Sequence, residues 1–215
     1  MTIKTILFDF DGVVVNTESL HLRALGEVLT NHGINYPDDL LQNFVGKNDA
    51  LLYQYVIDNL DDSYELDYLL NEKNKIFDKI VKELKPIDGF FDFIDSVIQK
   101  KIPHAVVTSS SKETLKMISD FFPFQNYFDV VVCEKDTTRH KPYPEPYLLG
   151  LKRTGGDKET TLIIEDSVNG IKAGKSAECT VFGLTTSLPR NILLNAGADK
   201  VFDSYNEISK AIWGK

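Results

Sequence analysis

The chain has 215 residues, of which 42% are hydrophobic and 26% are charged, and its formal net charge is -8 at pH 7. This acidic balance disfavours a general surface for nucleic acids or anionic membranes, so we expect neither as a partner. No apolar stretch is long enough to span a bilayer, and the amino terminus enters a strand pattern at once, without room for a signal peptide. We therefore expect a cytoplasmic protein, in which the two cysteines, Cys133 and Cys179, are buried free thiols.

Two carboxylates follow the first apolar run of the chain. The run covers residues 3–8, and the sequence after it reads Asp9-Phe10-Asp11-Gly12. Residues i and i+2 of an extended backbone point the same way, so Asp9 and Asp11 are predicted to project together where the strand ends. Two like charges this close are costly unless a cation or a shared proton relieves them. The first dozen residues therefore predict a functional site at the end of the first strand.

Short β-rich runs alternate with segments of helical spacing through most of the chain. Strands are predicted over residues 3–8, 104–108, 129–133, 161–164, 180–184 and 200–202, and helices over 90–100, 112–122, 145–153, 168–177 and 204–213. This alternation predicts an α/β fold, a Rossmann-like doubly wound parallel sheet with helices on both faces. Ser110-x-x-Glu113 is typical of a capping box at the second of these helices, and Gly155-Gly156 is placed to end the third.

One interval interrupts the alternation. Between residues 16 and 85 three apolar stripes with helical spacing follow each other, and Pro86-Ile87-Asp88-Gly89 marks the return to the βα pattern. We predict an all-helical cap domain over residues 16–85, inserted after the first strand of a core formed by residues 1–15 and 86–215. The stripes comprise Leu20, Ala24, Leu25, Val28 and Leu29, then Leu51, Leu52, Tyr55, Val56 and Leu60, then Leu69, Leu70, Ile76, Ile80 and Leu84.

Polar side chains follow the ends of four predicted strands, and an open parallel sheet binds its ligands beyond those ends. Hydroxyl groups at a helix N-terminus favour an anion, whereas paired acids favour a cation. We therefore expect these acids, the ammonium group and the hydroxyl groups to converge on one point. In chain order the segments are Asp9 and Asp11, then Thr108-Ser109-Ser110-Ser111, then Arg139-His140-Lys141-Pro142, then Glu165-Asp166-Ser167.

This set of side chains suits phosphoryl transfer. Asp9, Glu165 and Asp166 offer hard oxygen ligands for Mg²⁺, which is commonly held by a few carboxylates and a substrate phosphate. One acid of the first pair can serve as nucleophile, and the other can donate a proton to the leaving oxygen. Lys141 and the Ser109 hydroxyl would neutralise charge on the equatorial oxygens. Each motif alone also has a structural interpretation, as a solvated turn, a helix cap or an exposed loop cation.

Four motifs in this order resemble those of the haloacid dehalogenase-like hydrolases. The spacing and the helical insert resemble the β-phosphoglucomutase-like phosphatase branch of that superfamily, which has a helical cap of the C1 type, and the resemblance spans nearly the whole chain. The matching segments are Phe8-Asp9-Phe10-Asp11-Gly12-Val13, Thr108-Ser109-Ser110, His140-Lys141-Pro142 and Ile164-Glu165-Asp166-Ser167.

The resemblance implies a role for each matched residue. Asp9 would be the nucleophile and a Mg²⁺ ligand, while Asp11 would be the general acid and base and would give the metal its backbone carbonyl. Relatives that act on carbon–halogen or phosphonate bonds lack an acid at the position of Asp11, so a phosphate ester is expected here. The other implied roles are phosphoryl binding by Ser109 and Lys141 and metal binding by Glu165 and Asp166.

The predicted cap decides which substrate is accepted. β-Phosphoglucomutases carry Gly-x-Ser-Arg, whose arginine holds a second phosphate, whereas this chain has Gly46-Lys47-Asn48-Asp49. An acid at that position opposes a second phosphate, and Lys47 is a flexible point charge rather than a bidentate fork. Thr17, Glu18 and His21 match a Thr-Glu-x-x-His continuation seen in many members, although His21 is equally explained as a packed histidine. The predicted substrate-binding residues are Thr17, His21, Gly46, Lys47, Asn48 and Ser110.

We therefore expect a monomeric, Mg²⁺-dependent phosphatase that acts on a small phosphorylated sugar or polyol through an aspartyl-phosphate. The alternative within the same chemistry is a β-phosphoglucomutase-type mutase. The alternative from another class is a non-enzymatic module that accepts a phosphoryl group or binds a phosphosugar, since signalling receiver domains also gather acids, a hydroxyl group and a lysine at strand ends.

Overall fold

The computed structural model describes residues 2–44 and 49–214. The chain divides into two compact units. The first, called the α/β unit, comprises Met1–Asn16 and Lys85–Lys215, and the second, called the helical unit, comprises Thr17–Leu84. Where the chain leaves and re-enters the α/β unit its two segments run side by side, since the N–H of Asn16 donates to the carbonyl of Lys85 at 2.9 Å.

The helical unit contains α1 (Glu18–Asn31), α2 (Asp49–Asn59) and α3 (Leu66–Ile80), with single 3₁₀ turns over Gln42–Phe44 and Val81–Glu83. The apolar stripe predicted for α1 is buried in full. The stripe predicted for α2 is partly wrong, because Leu51 is exposed and Tyr53 is buried instead. The buried face of this short helix consists of Leu52, Tyr53 and Val56.

Among the described residues six parallel strands form one sheet in the order β3-β2-β1-β4-β5-β6. Chain order runs outward from β1 in both directions, so the carboxyl end of β1 is the topological switch point of a doubly wound sheet. This confirms the predicted fold class. The strands are β1 (Thr5–Phe8), β2 (His104–Val107), β3 (Val131–Val132), β4 (Thr161–Glu165), β5 (Thr180–Leu184) and β6 (Lys200–Phe202).

Most of the helices of the α/β unit were predicted within a few residues of their bounds. The short helix α8 was not predicted. Only one of its apolar residues, Leu193, is buried, so the helix has no apolar stripe to recognise. The helices are α4 (Phe90–Gln99), α5 (Lys112–Ser119), α6 (Glu145–Thr154), α7 (Val168–Ser176), α8 (Arg190–Asn195) and α9 (Tyr205–Trp213). Gly155 ends α6 as predicted, with a left-handed φ of 69°. None of the described helices is long and apolar enough to cross a membrane.

The cap of helix α5 lies one residue later than predicted. The capping residue is Ser111, whose hydroxyl accepts the N–H of Thr114 at 3.1 Å. The capping box predicted at Ser110 is therefore wrong. The physical reason is that the Ser110 hydroxyl donates to Oδ2 of Asp11 instead, at 2.8 Å.

Strand β1 is buried on both of its faces. Leu7 belongs to a buried cluster with Tyr147 of α6 and Ile171 of α7. The ring of Phe8 packs edge-on against Phe90 and Phe93 of α4, at centroid distances of 6.4 and 5.9 Å. Because successive side chains of a strand point to opposite faces, helices must cover the sheet on both sides. Both cysteines are free and buried, as predicted.

Candidate active site

The acids predicted at the strand ends converge beside the switch point. Strand β1 lies between β2 and β4, and the N–H of Asp9 donates to the carbonyl of Ile164 on β4 at 2.9 Å. Glu165 is the last residue of β4, and Asp166 follows it. Asp9, Glu165 and Asp166 are all buried, and each offers a carboxylate oxygen within 4.8 Å of the others. Adjacent parallel strands thus bring together acids that lie more than 150 residues apart in the sequence.

Lys141 joins two of these acids from the loop that precedes α6. Its Nζ donates to Oδ1 of Asp9 at 2.5 Å, to Oε1 of Glu165 at 2.7 Å and to the carbonyl of Val107 at 3.0 Å. Only 6% of its side chain is exposed. Burial would lower the pKa of Lys141, but the carboxylates of Asp9 and Glu165 outweigh that effect and raise the pKa above its usual range. The structure therefore holds a charged ammonium group against the predicted nucleophile.

Glu165 is the most heavily hydrogen-bonded acid of the group. Its Oε1 accepts from Lys141 and from the hydroxyl of Tyr147, the latter at 2.8 Å. Its Oε2 accepts the N–H groups of Asp166 and Ser167, both at 3.0 Å, and the Ser167 hydroxyl at 2.9 Å. Burial opposes ionisation, but Lys141 and these hydrogen bonds outweigh it and lower the pKa of Glu165. Glu165 is therefore ionised and fixed in place.

Asp166 is held by a loop that the sequence analysis did not assign to the site. The Ser187 hydroxyl donates to Oδ2 of Asp166, and the Thr186 hydroxyl donates to the carbonyl of Gly12 at 2.5 Å. Thr186 and Ser187 follow β5, the strand next to β4. The signal in the sequence was a run of three hydroxyl residues, Thr185-Thr186-Ser187, just after the fifth predicted strand, where the same reasoning about strand ends applies.

The three buried acids fit a divalent cation. Burial raises the pKa of Asp9 to about 8, with Glu165 and Asp11 adding to the rise and Lys141 opposing it. Burial, reinforced by the charges of Asp9 and Glu165, also raises the pKa of Asp166 well above its usual range. A hard cation would relieve this repulsion, and an all-oxygen donor set suits Mg²⁺. The residues present therefore match the predicted metal.

Asp11 stands apart from the three-carboxylate group. Its Oδ2 accepts from the Ser110 hydroxyl at 2.8 Å and from the Thr108 hydroxyl at 3.4 Å. Asp11 is predicted to bind the metal through its backbone carbonyl, and this stays a prediction. Ser109, predicted to bind the phosphoryl group, is exposed. It lies in the sequence between Thr108 and Ser110, whose hydroxyl groups contact Asp11. The hydroxyl of Ser110, predicted to contact substrate, is engaged with Asp11.

The predicted cap residues lie in the helical unit. Thr17 is buried just before α1, and Nδ1 of His21 lies 2.8 Å from Nζ of Lys73. The His21 ring stacks on Phe77 with a centroid distance of 4.4 Å. Lys73 is buried and forms an ion pair with Asp49 at 2.7 Å. Gly46, Lys47 and Asn48 lie outside the described residues, and the binding roles of all these residues stay predictions.

Comparison with known proteins identifies the family. The family profile described as haloacid dehalogenase-like hydrolase matches residues 6–184. The chain belongs to this family. A phosphorylated carbohydrates phosphatase from Thermotoga maritima is 31% identical over 202 residues, which cover 91% of this chain and 92% of that protein. A fructose-1-phosphate phosphatase from Escherichia coli is 27% identical over 173 residues, which cover 80% of this chain and 91% of that protein.

Solved structures of the family share this architecture. The crystal structure titled "putative beta-phosphoglucomutase from Thermotoga maritima" matches with a TM-score of 0.85 and 27% identity, covering 98% of this chain and 100% of that one. The resemblance to the β-phosphoglucomutase-like branch is thus confirmed. So is the predicted enzyme class, a haloacid dehalogenase-like phosphoric monoester hydrolase, which stands against the non-enzymatic alternative.

Proposed function

We propose that this haloacid dehalogenase-like hydrolase is a Mg²⁺-dependent phosphatase of a small phosphorylated sugar or polyol, which forms an aspartyl-phosphate at Asp9. The observation that carries the proposal is the contact of Lys141 with Asp9 and Glu165, at 2.5 and 2.7 Å, beside the buried acid Asp166. Two similar proteins are named as phosphatases of phosphorylated carbohydrates and of fructose 1-phosphate, which supports a sugar phosphate as substrate.

The metal would be held by Asp9, Asp166 and the backbone carbonyl of Asp11, with Glu165 beside them. When bound, Mg²⁺ would offset the charge of the phosphoryl oxygens and of the acids around it. A carboxylate has about four lone-pair sites, and Glu165 already accepts five hydrogen bonds from protein donors. Asp9 and Asp166 therefore supply the best-supported direct ligands, while Glu165 fixes Lys141 and the turn after β4.

The reaction would proceed in two steps. Asp9 attacks phosphorus, so that its oxygen–phosphorus bond forms as the bond to the leaving oxygen breaks, and Asp11 gives that oxygen its proton. Water then attacks the same phosphorus as the bond between phosphorus and the Asp9 oxygen breaks, and Asp11 takes up the proton of the water. Inorganic phosphate departs, and the Asp9 carboxylate is regenerated. Lys141 and the Ser109 hydroxyl would neutralise charge on the transferred phosphoryl oxygens throughout.

The ion pair of the buried Lys73 in the helical unit supports a substrate with one phosphate. Lys73 is paired with Asp49, so the positive charge of this buried lysine is already balanced by an acid of the same unit. Binding of a second phosphate would need a cation without such a partner. We propose that Thr17, His21 and residues 46–48 contact the sugar or polyol part of the substrate. The compartment is proposed to be the cytoplasm and the active form a monomer.

A phosphate-release screen tests the proposal. Sugar monophosphates, polyol phosphates and nucleotides are each incubated with the protein with and without Mg²⁺, and inorganic phosphate is measured. We expect turnover of sugar or polyol monophosphates that EDTA abolishes. Asp9→Asn should abolish phosphate release, and acid-quenched wild-type protein should carry one phosphoryl group on Asp9 by peptide mass spectrometry. Phosphate release by Asp9→Asn at the wild-type rate would exclude Asp9 as the nucleophile.

The structural match to the protein described as a "putative beta-phosphoglucomutase" favours one alternative, a phosphosugar mutase. A mutase returns the phosphoryl group to a second position of the sugar instead of transferring it to water. Rapid isomerisation of β-glucose 1-phosphate that depends on a bisphosphate primer would establish this alternative. Phosphate release without isomerisation would establish the phosphatase.

A further inference from the structure

Two hydroxyl groups from one strand end meet a single oxygen of Asp11. Asp11 follows β1 and Ser110 follows β2, and these strands are adjacent, with Phe8 paired to Val106. The Ser110 hydroxyl donates to Oδ2 of Asp11 at 2.8 Å, and the Thr108 hydroxyl lies 3.4 Å from the same oxygen. All of these contacts lie within the α/β unit. Hydroxyl groups of the neighbouring strand end thus restrain the orientation of the Asp11 carboxyl group.

The backbone around Ser110 is itself fixed. Its N–H donates to the Thr108 hydroxyl at 2.9 Å, and its carbonyl accepts the N–H of Glu134 at 3.2 Å. Ser110 does not cap α5, because that role belongs to Ser111. The position and hydrogen bonding of Ser110 therefore point to one use of its hydroxyl, the contact with Asp11.

We propose that Ser110 is a positioning residue for Asp11 and not a substrate contact. This inference rests on the proposed function, in which Asp11 protonates the leaving oxygen. As the bond between phosphorus and that oxygen breaks, the proton of the Asp11 carboxyl group moves to the oxygen, and the Ser110 hydroxyl keeps its own proton. Ser110 restricts the rotation of the carboxyl group, and a fixed proton donor transfers more efficiently than a rotating one.

The positioning role of Ser110 predicts that the effect of its substitution on kcat/KM depends on the leaving group of the substrate. An alkoxide from a sugar phosphate is a strong base that needs a proton as it departs, whereas p-nitrophenolate is a weak base that departs without one. The ratio kcat/KM reports steps up to departure of the leaving group. Ser110→Ala should therefore lower kcat/KM for the sugar phosphate about 10- to 100-fold, which is part of the 10²–10⁴-fold rate gain typical of general acid catalysis. The same substitution should change kcat/KM for p-nitrophenyl phosphate by less than about threefold.

The adjacent serine provides a matched control. Ser109 is proposed to contact the transferred phosphoryl group, so Ser109→Ala should lower kcat/KM for both substrates by the same factor. Ser110→Thr keeps the hydroxyl and should restore most of the sugar phosphate activity. The assays use the full chain with Mg²⁺, p-nitrophenyl phosphate and a sugar monophosphate that the wild type hydrolyses, with fructose 1-phosphate tried first. Thermal unfolding of each variant checks that it is folded.

The outcomes separate this inference from the proposed function. A loss confined to the sugar phosphate in Ser110→Ala supports the positioning role. An equal loss with both substrates, or no loss with either, overturns it and leaves the proposed phosphatase intact. A wild-type protein that releases phosphate from no sugar or polyol monophosphate tested, and none from p-nitrophenyl phosphate, would overturn the proposed function and this role together.

Discussion

A Cβ atom added at Gly12 would overlap Oδ2 of Asp166. Gly12 has a φ of 76°, in the left-handed region, and its carbonyl accepts the Thr186 hydroxyl. The turn after β1 therefore passes directly against an acid that follows β4. This approach requires both the absence of a side chain and a backbone conformation that glycine adopts readily.

We expect Gly12→Ala to displace Asp166 and to weaken Mg²⁺ binding. The left-handed backbone conformation alone should lower the free energy of unfolding of Gly12→Ala by about 1 kcal/mol. The movement of Asp166 away from the added Cβ should lower it further. Urea unfolding with and without MgCl₂ measures the effect, since a ligand of the folded state raises the free energy of unfolding. Gly155→Ala is the control, because Gly155 has a φ of 69° and no heavy atom of the described residues would lie within 4 Å of an added Cβ. Gly155→Ala should lose stability but keep the Mg²⁺ response, and a full response in Gly12→Ala would contradict the expectation.

The hydroxyl of Tyr147 should stabilise the folded state through Glu165. Tyr147 is buried, its hydroxyl donates to Oε1 of Glu165 at 2.8 Å, and Nζ of Lys141 lies 4.8 Å from its ring centroid. Tyr147→Phe keeps the ring and removes the donor to a charged acceptor, which costs about 1.5–3 kcal/mol. Urea unfolding measures the loss. Tyr143→Phe is the control on the same segment, because Tyr143 is 52% exposed, and a similar loss in both variants would argue against a specific role.

The buried Lys73 should depend on Asp49 for its charge balance. Asp49→Ala leaves the ammonium group buried without its carboxylate, and we expect a loss of about 2–3 kcal/mol, below the range for a fully buried pair. Lys73→Met in the Asp49→Ala background removes the unpaired charge and should recover most of that loss. The control is Glu72→Ala on α3, which breaks the exposed pair with Lys75 and should cost less than about 1 kcal/mol. No recovery in the double variant would show that Asp49 stabilises the unit by another route.

The acids of the site could be predicted from the sequence because they follow strands in a simple way. A buried apolar run that ends in Asp9 and Asp11, and another that ends in Glu165 and Asp166, place carboxylates at one edge of a parallel sheet. Lys141 follows no strand directly, and only its order among the motifs indicated its place. The alternation of strands and helices was likewise enough to predict the parallel sheet, but it did not predict the short helix α8.

The contacts that hold the acids could not be predicted, because they depend on which strands are neighbours. Ser110 reaches Asp11 since β2 lies beside β1, and Ser187 reaches Asp166 since β5 lies beside β4. Both Ser110 and Ser111 can cap a helix by residue type, so the sequence alone does not choose between them. Tyr147 belongs to the buried face of α6, and its hydroxyl contact is visible only once the fold brings Glu165, at the end of β4, next to it.

The carboxylate of Asp136 anchors the end of β3 to α6. Its Oδ2 accepts the N–H of Cys133 at 2.9 Å, and its Oδ1 lies 3.2 Å from a guanidinium nitrogen of Arg153. Arg153 lowers the pKa of Asp136 to about 2, with the Cys133 N–H assisting and burial opposing. This turn precedes the segment that carries Lys141, so its stability bears on the site.

The lowered pKa gives Asp136 a defined pH dependence. Because the folded-state pKa lies below the ordinary value near 4, the ionised group stabilises the folded state fully above about pH 4, and that stability is lost as the pH falls through 2. We expect Asp136→Asn to cost about 1 kcal/mol at pH 7, since partial exposure of Arg153 screens the pair. Urea unfolding of both proteins at pH 7, 4 and 3 should show the difference shrinking with acid. A difference that stays constant from pH 7 to pH 3 would show that the asparagine acts by altered packing rather than by loss of charge.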